Sequence, residues 1–405
     1  MSVRSEFGQL SGVIIHEPDI GIGYITPEIA EQLLYDDIVF LPRMIEEHFA
    51  FTQALRYLIG EEHVYEIEAL LETVLEDKDV KRALLSFVRQ IEKLPEEKIT
   101  FLSGLNAREL TFVLVAGLHP ETKEPVLKPL PNLVFTRDLG CVINDHIVIC
   151  KMSKPARWRE SVLFKFIVHH HPLFASFKGK IIDFVTLEHF EKEVSIEGGD
   201  VMLVHKDYLL TGLSERTNAA GFDLLKETLL EKGIVHHVIS VDLPAERYCM
   251  HLDTVFTCIS ENACIGYAPL VFDGNIQICS YDADGRQNRC SSLRELMEEI
   301  YPGIRCIPCG NGISPFDARE QWTDGANLVA VKPGVAFSYE RNVHTLHALK
   351  NAGFTTIDAR HLLQETEYGK EYLERTYEEI ITITSAELSR ARGGPHCMTL
   401  PVHRL

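Results

Sequence analysis

The sequence lacks several features that would place it in a common class of proteins. No apolar run approaches the ~20 residues that cross a bilayer. The first residues, "MSVRSEFGQLSGV", contain no apolar core of a secretory signal. We therefore expect neither a membrane protein nor a secreted one. The sequence also has no P-loop and no dinucleotide fingerprint, which argues against the common nucleotide-binding sites.

Metal-ligand spacings are equally scarce. Cys306 and Cys309 form a Cys-x-x-Cys motif without a second pair, and the histidine run His169–His171 has no spaced partner nearby. A structural zinc site needs four ligands at matched spacings. We therefore expect no metal ion.

Basic residues are fewer than acidic ones, and cysteine is confined to one part of the chain. Lys and Arg number 40 against 59 Asp and Glu, for a formal net charge of -19. Such a surface disfavours nucleic acid and anionic membranes as partners, and mildly favours a cationic substrate. The first 140 residues contain no cysteine, and most of the ten that follow sit in apolar runs. Free cysteines in a core are typical of a reducing cytoplasm.

The chain of 405 residues, 45% of them hydrophobic, is long enough for two or three domains. Residues 10–16, "LSGVIIH", indicate a buried strand. From Pro42 to about His119, successive segments are amphipathic at helical spacing and predict an all-helical insert. We place this inserted domain at 66–124. The remaining residues, 1–65 and 125–405, would form one catalytic domain.

After Asn132 the pattern alternates strands with helices, and one unit recurs. "GLSERTNAAGFDLLKETLLEKGI" and "SYERNVHTLHALKNAGF" each leave a strand, turn through Glu-Arg and enter a helix. The turn arginines Arg157, Arg216 and Arg341 stand 59 and 125 residues apart. These separations are about one and two periods of ~60 residues, a length that suits a blade-like unit of strands and helix. About five units and the insert account for the length.

Cys397 is the strongest candidate for chemistry. It follows the glycine-rich turn of "RARGGPHCMTLPV", and glycines allow the close approach of backbone to ligand that an active-site turn needs. A thiolate is the reactive form, so a nucleophilic cysteine needs neighbours that favour its ionisation. Taken alone, Cys397 is explained as well by a place in the core.

Three upstream motifs supply the other groups. "MHLD" carries His251 and Asp253, which would share one face of a strand. "EGGD" carries Glu197, and "FTRD" carries Asp138, whose strand would turn only one of Arg137 and Asp138 toward a cavity. Each motif alone fits a turn or a solvated strand end. Together with Cys397, the acidic residues and the histidine favour thiolate attack on a bound cation.

These motifs together closely resemble the arginine deiminases, of the guanidine-modifying (pentein) superfamily. The resemblance runs in order from "VIIHEPD" and "LLYDDIVFLPRMIEEHFAF" through "PNLVFTRD", "PARWRE", "EGGD", "GLSERTN", "MHLDTVFT" and "REQWTDGANLVAV" to "RGGPHCM". It implies an α/β fold, a five-bladed propeller of ββαβ units with an inserted helical bundle. It also implies hydrolysis of free L-arginine to L-citrulline and ammonia in arginine catabolism, through a covalent cysteine thiouronium intermediate and without metal or organic cofactor.

The resemblance also implies residue roles. They are Cys397 as nucleophile; His251 as acid and base; Asp138, Glu197 and Asp253 as ligands of the guanidinium; Arg157 and Arg216 as ligands of the α-carboxylate; Asn132 and Phe135 as lining of the amino-acid end; and Arg392 as a substrate contact or a gate.

Other functions remain open on the sequence. Amidino transfer differs from hydrolysis only in whether an amine or water reaches the covalent intermediate. Agmatine deimination would leave Arg157 and Arg216 without a carboxylate to bind, which disfavours it. An inactive arginine-binding sensor and a redox protein using Cys306 and Cys309 are more distant alternatives. The sequence also leaves a homo-oligomer open.

Overall fold

The structure is a computed structural model that describes residues 1–364 and 369–405. Its strands, in chain order, are β1 (Leu10–Ile15), β2 (Val64–Glu66), β3 (Gly140–Ile143), β4 (His146–Ile149), β5 (Ile181–Asp183), β6 (Val201–His205), β7 (Tyr208–Leu213), β8 (His237–Asp242), β9 (Phe256–Ser260), β10 (Ala263–Gly266), β11 (Ile278–Asp282), β12 (Gln287–Cys290), β13 (Arg305–Pro308), β14 (Val329–Lys332), β15 (Val335–Tyr339), β16 (Thr355–Asp358), β17 (Glu379–Ile383) and β18 (Leu400–Arg404).

Helices connect these strands and also form a separate group early in the chain. They are α1 (Pro27–Ala30), α2 (Leu41–Ile59), α3 (Ile67–Leu75), α4 (Lys78–Glu92), α5 (Glu96–Gly104), α6 (Ala107–Ala116), α7 (Trp158–His170), α8 (Leu187–Glu191), α9 (Ala219–Glu231), α10 (Ala268–Val271), α11 (Leu293–Ile300), α12 (Phe316–Trp322), α13 (Val343–Asn351), α14 (Ala359–Leu362) and α15 (Gly369–Arg375).

The described part of the chain forms five small sheets that share one plan. An antiparallel pair of strands is followed by a helix and a strand that pairs in parallel, as in β3, β4, α7 and β5. The same plan gives β6–β7–β8, β9–β10–β13 and β14–β15–β17. The first sheet takes its antiparallel strand from the other end of the chain, since β18 pairs with β1 and β1 with β2. The α/β propeller of five blades predicted from the sequence is therefore confirmed.

The helices α3 to α6 lie between the first two blades. Two caps show why they form here: the Asp77 side chain accepts from two backbone N–H groups of α4, and Asn106 and Glu109 form a reciprocal capping box on α6. The apolar sides of α3, α4 and α6 share one hydrophobic core with α7 and the sheet β3–β4–β5. The predicted all-helical stretch was too long, because β2 and its pairing with β1 separate α2 from this group. The domain boundaries at 66–124 stay a prediction.

Each blade presents a turn just before its first strand. These turns carry Asp138 before β3, Glu197 before β6, Asp253 before β9, Asn327 before β14 and Cys397 before β18. Because the blades repeat around one ring, equivalent turns converge, and all five residues are buried. No helix in the described ranges is both long and apolar enough to cross a membrane.

Candidate active site

The turns that enter the blades are short helical segments rather than strands. The sequence predicted a strand through His251 and Asp253, which is wrong because β9 begins only at Phe256. The backbone N–H and the hydroxyl of Thr254 both bond the His251 carbonyl oxygen, at 3.2 and 2.7 Å, so a local turn replaces strand pairing. The "PNLVFTRD" segment likewise forms two 3-10 turns, Pro131–Val134 and Thr136–Leu139.

A small buried cavity lies where these turns meet, with a volume of about 20 Å³. Eight of the ten residues predicted for the site line it: Cys397, His251, Asp138, Arg157, Arg216, Asn132, Phe135 and Arg392. The other two, Glu197 and Asp253, lie behind the lining and contact it by hydrogen bonds. The sequence predicted that a strand would turn only one of Arg137 and Asp138 toward the cavity; the segment is a turn, and it is Asp138 that lines the cavity. Such a volume has room for about one water molecule.

Asn327 fixes Cys397, and sequence reasoning gave it no role. Its side-chain oxygen accepts the backbone N–H groups of His396 and Cys397, both at 3.1 Å. Its amide nitrogen donates to the Cys397 Sγ at 3.1 Å and to the Asp253 carbonyl oxygen at 2.9 Å. Gly394 permits this close approach, since a Cβ there would lie 2.5 Å from the Asn327 Oδ1 atom. The amide thus sets the position of the sulfur.

Acidic neighbours keep the Cys397 sulfur as a neutral thiol. Burial, with the negative charges of Asp253 and Asp138, raises the pKa of Cys397 well above its ordinary value. Its S–H group donates to Asp253 Oδ2 at 3.4 Å. A cation bound beside these carboxylates would offset their charge and favour the thiolate.

His251 lies between two carboxylates and holds a proton. Its Nε2 atom is 2.8 Å from Glu197 Oε2, and its Nδ1 atom is 3.6 Å from Asp138 Oδ1. Burial alone would lower the pKa of His251, but the charge of Asp138 and the Glu197 hydrogen bond outweigh burial and raise that pKa to about 9. At neutral pH the ring is therefore an imidazolium that can donate a proton.

The Arg157 guanidinium is fully engaged with carboxylates. It donates to Asp138 at 2.7 Å and to Glu160 at 2.8 and 3.0 Å, and lies 3.5 Å from Glu197. It also donates to the Asn132 carbonyl oxygen at 3.2 Å. Burial would lower the pKa of Arg157, but the charges of Glu160 and Asp138 raise it. Arg157 compensates part of the acidic charge at this end of the cavity.

Arg216 differs from Arg157, although both follow the second strand of a blade. It is buried, and within the described residues its Nε atom has no hydrogen-bond partner. Its turn is held by Asp200, which accepts from the Ser214 hydroxyl at 2.6 Å and from the Leu252 backbone at 2.9 Å. Burial raises the pKa of Asp200 to about 7. Sequence reasoning missed Asp200, although "EGGD" contains it.

Arg392 closes the outer side of the cavity. Its guanidinium carbon lies 3.4 Å from the centre of the Trp322 ring, and its Nε atom lies 3.5 Å from Asp36. Arg392 also lines an open surface groove with Trp322 and Asp36, so its side chain separates groove from cavity. Asp36 pairs with Arg247 at 2.9 Å over the same opening.

Two groups of side chains in the described ranges have the spacing of a metal site. Asp138, Glu197 and His251 present ligand atoms within 4.8 Å of one another, and so do His16, Asp19 and Glu68. In the first group, Arg157 and the His251 proton already supply positive charge to the carboxylates. In the second, His16 pairs with Asp19 at 3.3 Å. In both groups the histidine is thus already paired with a carboxylate.

Solved structures similar to this chain share its fold. An amidinotransferase from Microseira wollei, of the saxitoxin biosynthetic pathway, superposes with a TM-score of 0.56 at 13% identity, covering 100% of this chain and 97% of the other. The N-terminal domain of the cyanobacterial arginine dihydrolase ArgZ, bound to product, gives 0.55 at 15% identity over 98% of both chains. A dimethylarginine dimethylaminohydrolase gives 0.51 at 14% identity, over 97% and 99%. These are pentein proteins, so the fold is the pentein propeller.

Sequence relatives are more specific. The model of the family described as "Arginine deiminase" matches residues 102–404. The arginine deiminase of Listeria welshimeri is 32% identical over 432 aligned residues, covering 100% of this chain and 98% of the relative. That of Mycoplasma capricolum is 32% identical over 422 residues, covering 100% and 97%. As its motifs predicted, the chain belongs to the arginine deiminase family, which are hydrolases acting on carbon–nitrogen bonds.

Proposed function

We propose that this protein hydrolyses free L-arginine to L-citrulline and ammonia through a covalent thiouronium intermediate on Cys397. One observation carries the proposal: one buried cavity brings together carboxylate oxygens and a guanidinium nitrogen that lack hydrogen-bond partners. Among the described residues, Asp138 Oδ1 and Asp253 Oδ1 are buried without hydrogen-bond partners, and so is Arg216 Nε. Arginine is a zwitterion with a cation at its far end and a carboxylate at its near end, and it complements this pattern.

The acidic end suits a guanidinium. This group offers five N–H donors in one plane, and charge-assisted bonds to carboxylates hold it firmly. Buried carboxylate oxygens without partners are costly, so a ligand that supplies donors is bound favourably. Cys397 Sγ lies 3.4 Å from Asp253, within reach of a guanidino carbon held at the same carboxylates.

The other end suits an α-carboxylate. A guanidinium fork matches a carboxylate in two parallel bonds, and Arg216 Nε has no hydrogen-bond partner among the described residues, its ion-pair contact with Glu215 being 4.0 Å long. Arg157 is assigned to the same role from the resemblance. It would have to share its bonds to Asp138 and Glu160 to take part. Asn132, Phe135 and Arg392 would contact the intervening part of the substrate.

The raised pKa values of Cys397 and His251 suit the formation and the hydrolysis of the covalent intermediate. The positive charge of the substrate offsets the negative charges of Asp253 and Asp138, so the Cys397 thiol releases its proton to solvent as arginine binds, and the thiolate attacks the guanidino carbon. The His251 imidazolium gives its proton to the departing nitrogen, which leaves as ammonia. Neutral His251 then takes a proton from water, whose oxygen attacks the thiouronium carbon. The C–S bond then breaks, the sulfur leaves as a thiolate, and the hydroxyl of the adduct loses its proton as the carbonyl of citrulline forms.

The direct test is incubation of the purified protein with L-arginine in metal-free buffer, with citrulline, ornithine and ammonia measured. Citrulline and ammonia in equal amounts are the expected result. Ornithine in the presence of an added amine would instead indicate amidino transfer, and bound arginine without product would indicate a sensor. A role in arginine catabolism and a cytoplasmic location are further parts of the proposal. All ten cysteines are free, as a reducing compartment would require.

A further inference from the structure

Behind Cys397, two buried charged side chains that the reaction described above does not use, Glu6 and His396, form a chain of contacts to Asp253. His396 precedes the nucleophile, and its ring is 2% exposed. Its Nδ1 atom is 2.9 Å from Asp253 Oδ2, and its Nε2 atom is 3.1 Å from Glu6 Oε2. We call Glu6, His396 and Asp253 the rear triad.

The His396 ring bridges two carboxylates. Both of its ring nitrogens face carboxylate oxygens, one of Glu6 and one of Asp253. A buried carboxylate paired in this way is fixed in position and in charge.

Asp253 Oδ2 is the atom on which these contacts converge. It accepts from His396 and from the thiol of Cys397, while Oδ1 of the same carboxylate has no partner among the described residues. The ring of His396 therefore holds one oxygen against the sulfur. The orientation of the carboxylate, and so the position of Oδ1 for a substrate N–H group, follows from that bond.

Glu6 anchors the ring from the far side. Burial would raise the pKa of Glu6, but the charges of Arg137 and His396 outweigh burial and lower it to about 2. Arg137 donates to Glu6 at 3.4 Å, to the His396 carbonyl oxygen at 3.4 Å and, from its backbone, to the Cys397 carbonyl oxygen at 3.0 Å. Glu6 lies outside the residues that match the family model, 102–404.

We propose that Glu6 and His396 are positioning residues of the active site, which act on substrate only through Asp253. This inference rests on the proposed function, because it takes arginine as the ligand that Asp253 orients. Glu6 fixes the His396 ring, the ring fixes Asp253 Oδ2, and Asp253 Oδ1 stays available for the guanidinium. Loss of either positioning residue leaves the Asp253 carboxylate present but no longer fixes its orientation.

The test is a double-mutant cycle on arginine affinity in the Cys397→Ala background, where binding is measured by calorimetry without turnover. Glu6→Gln and His396→Gln should each weaken arginine binding by roughly 10-fold to 100-fold, the loss typical of removing a group that orients a ligating residue. Neither should weaken binding further when Asp253 is already Asn. In the wild-type background, Glu6→Gln should lower kcat/KM in the same proportion.

Glu320→Gln is the matched control, because Glu320 is a buried carboxylate that accepts from the backbone of His344 and Thr345 instead. It should lower the thermal stability and leave arginine affinity unchanged. The proposal would be overturned if Glu6→Gln weakened arginine binding equally whether residue 253 is Asp or Asn. It would also be overturned if Glu6→Gln and His396→Gln both left arginine affinity unchanged. If Glu6→Gln fails to fold, His396→Gln decides. Absence of arginine binding to Cys397→Ala, with no turnover by the wild type, would refute the proposed function instead.

Discussion

The two sides of the candidate cavity are built differently. The rear wall, Asp253, Asn327, His396 and Cys397, is fully buried, and its members bond one another directly. The mouth consists of Asp36, Arg247, Trp322 and Arg392. Asp36 pairs with both arginines; Asp36 and Arg247 are 30% and 32% exposed, whereas Arg392 is 5% exposed. Buried bonds fix geometry, whereas exposed ion pairs contribute little free energy. The reacting atoms are thus preorganised, and the entrance is weakly closed.

This difference has a consequence for substrate entry. A cavity with room for about one water molecule is too small for arginine, so one side must move. Moving the rear wall would break several buried hydrogen bonds, whereas moving the mouth breaks partly solvated contacts. We therefore expect the side chains of the mouth to open and the rear wall to stay fixed.

Removing the sulfur should have the largest effect. Cys397→Ala should abolish citrulline formation and retain arginine binding, because the carboxylates and Arg216 remain. Steady-state assay and calorimetry measure the two properties. Cys258→Ala, at a buried cysteine on β9, is the control and should keep normal turnover. Citrulline formation by Cys397→Ala would remove Cys397 as the nucleophile.

Loosening the rear wall comes next. Asn327→Ala removes the donor to Sγ and the acceptor that holds the Cys397 backbone, so kcat should fall roughly 100-fold, as for loss of a donor to a reacting atom. Asn342→Ala is the control, because Asn342 is equally buried but bonds Thr323. A kcat for Asn327→Ala close to that of the wild type would contradict a preorganised rear wall.

Arg216→Ala tests the carboxylate end. Loss of a charge-assisted bond of about 1.5–3 kcal/mol should raise KM for arginine roughly 10-fold to 100-fold. KM for agmatine, if it is turned over, should change little, since agmatine has no carboxylate. Arg341→Ala is the control, because Arg341 occupies the equivalent turn of the last blade but lines the outer groove. An equal change for both substrates would remove the carboxylate role.

The pH dependence should follow His251. Its pKa is about 9 in the folded protein against 6.5 ordinarily, so its imidazolium stabilises the fold at low pH. That contribution, on the order of a few kcal/mol, is fully present below pH 6.5 and is lost as the pH rises through about 9. Unfolding free energies of wild type and His251→Asn from pH 6 to 10 should therefore converge toward high pH. Parallel curves would contradict the raised pKa.

The smallest effect should come from the mouth. Asp36→Asn removes the partner of Arg247 and Arg392, and since exposed pairs contribute about 0.2–1 kcal/mol, KM should rise less than about fivefold. The change should shrink at high salt. Asp37→Asn, whose partner is the more peripheral Arg390, should change KM less. A loss of kcat as large as that of Asn327→Ala would show that the mouth is part of the fixed site.

The sequence predicted the propeller well, because its signals are local and repeated. The strand, Glu-Arg turn and helix recur at β7 and β15, where the structure has α9 and α13 after them. The turns before each blade were harder to predict. These turns are formed by hydrogen bonds between residues three positions apart, such as Thr254 and His251. The hydrophobic periodicity of the sequence does not indicate such bonds.

The sequence predicted most of the residues that line the candidate site, but it gave no role to the residues that support them. Cys397, His251 and the acidic residues lie in short motifs from which a chemical role can be predicted. Asn327 and Glu6 have no such signal, because each acts on residues far along the chain: Asn327 bonds Cys397 across 70 positions, and Glu6 bonds His396 across 390. The sequence alone does not show that residues so far apart along the chain lie in contact.

One measurement tests the central claim most directly: rapid mixing of wild-type protein with isotopically labelled arginine, acid quench, and mass analysis of the peptide that contains Cys397. We expect label on Cys397 as an adduct of arginine less ammonia, which forms before citrulline and decays as citrulline appears. Citrulline formed at full rate without any adduct on Cys397, under quench conditions that preserve thiouronium groups, would contradict the account.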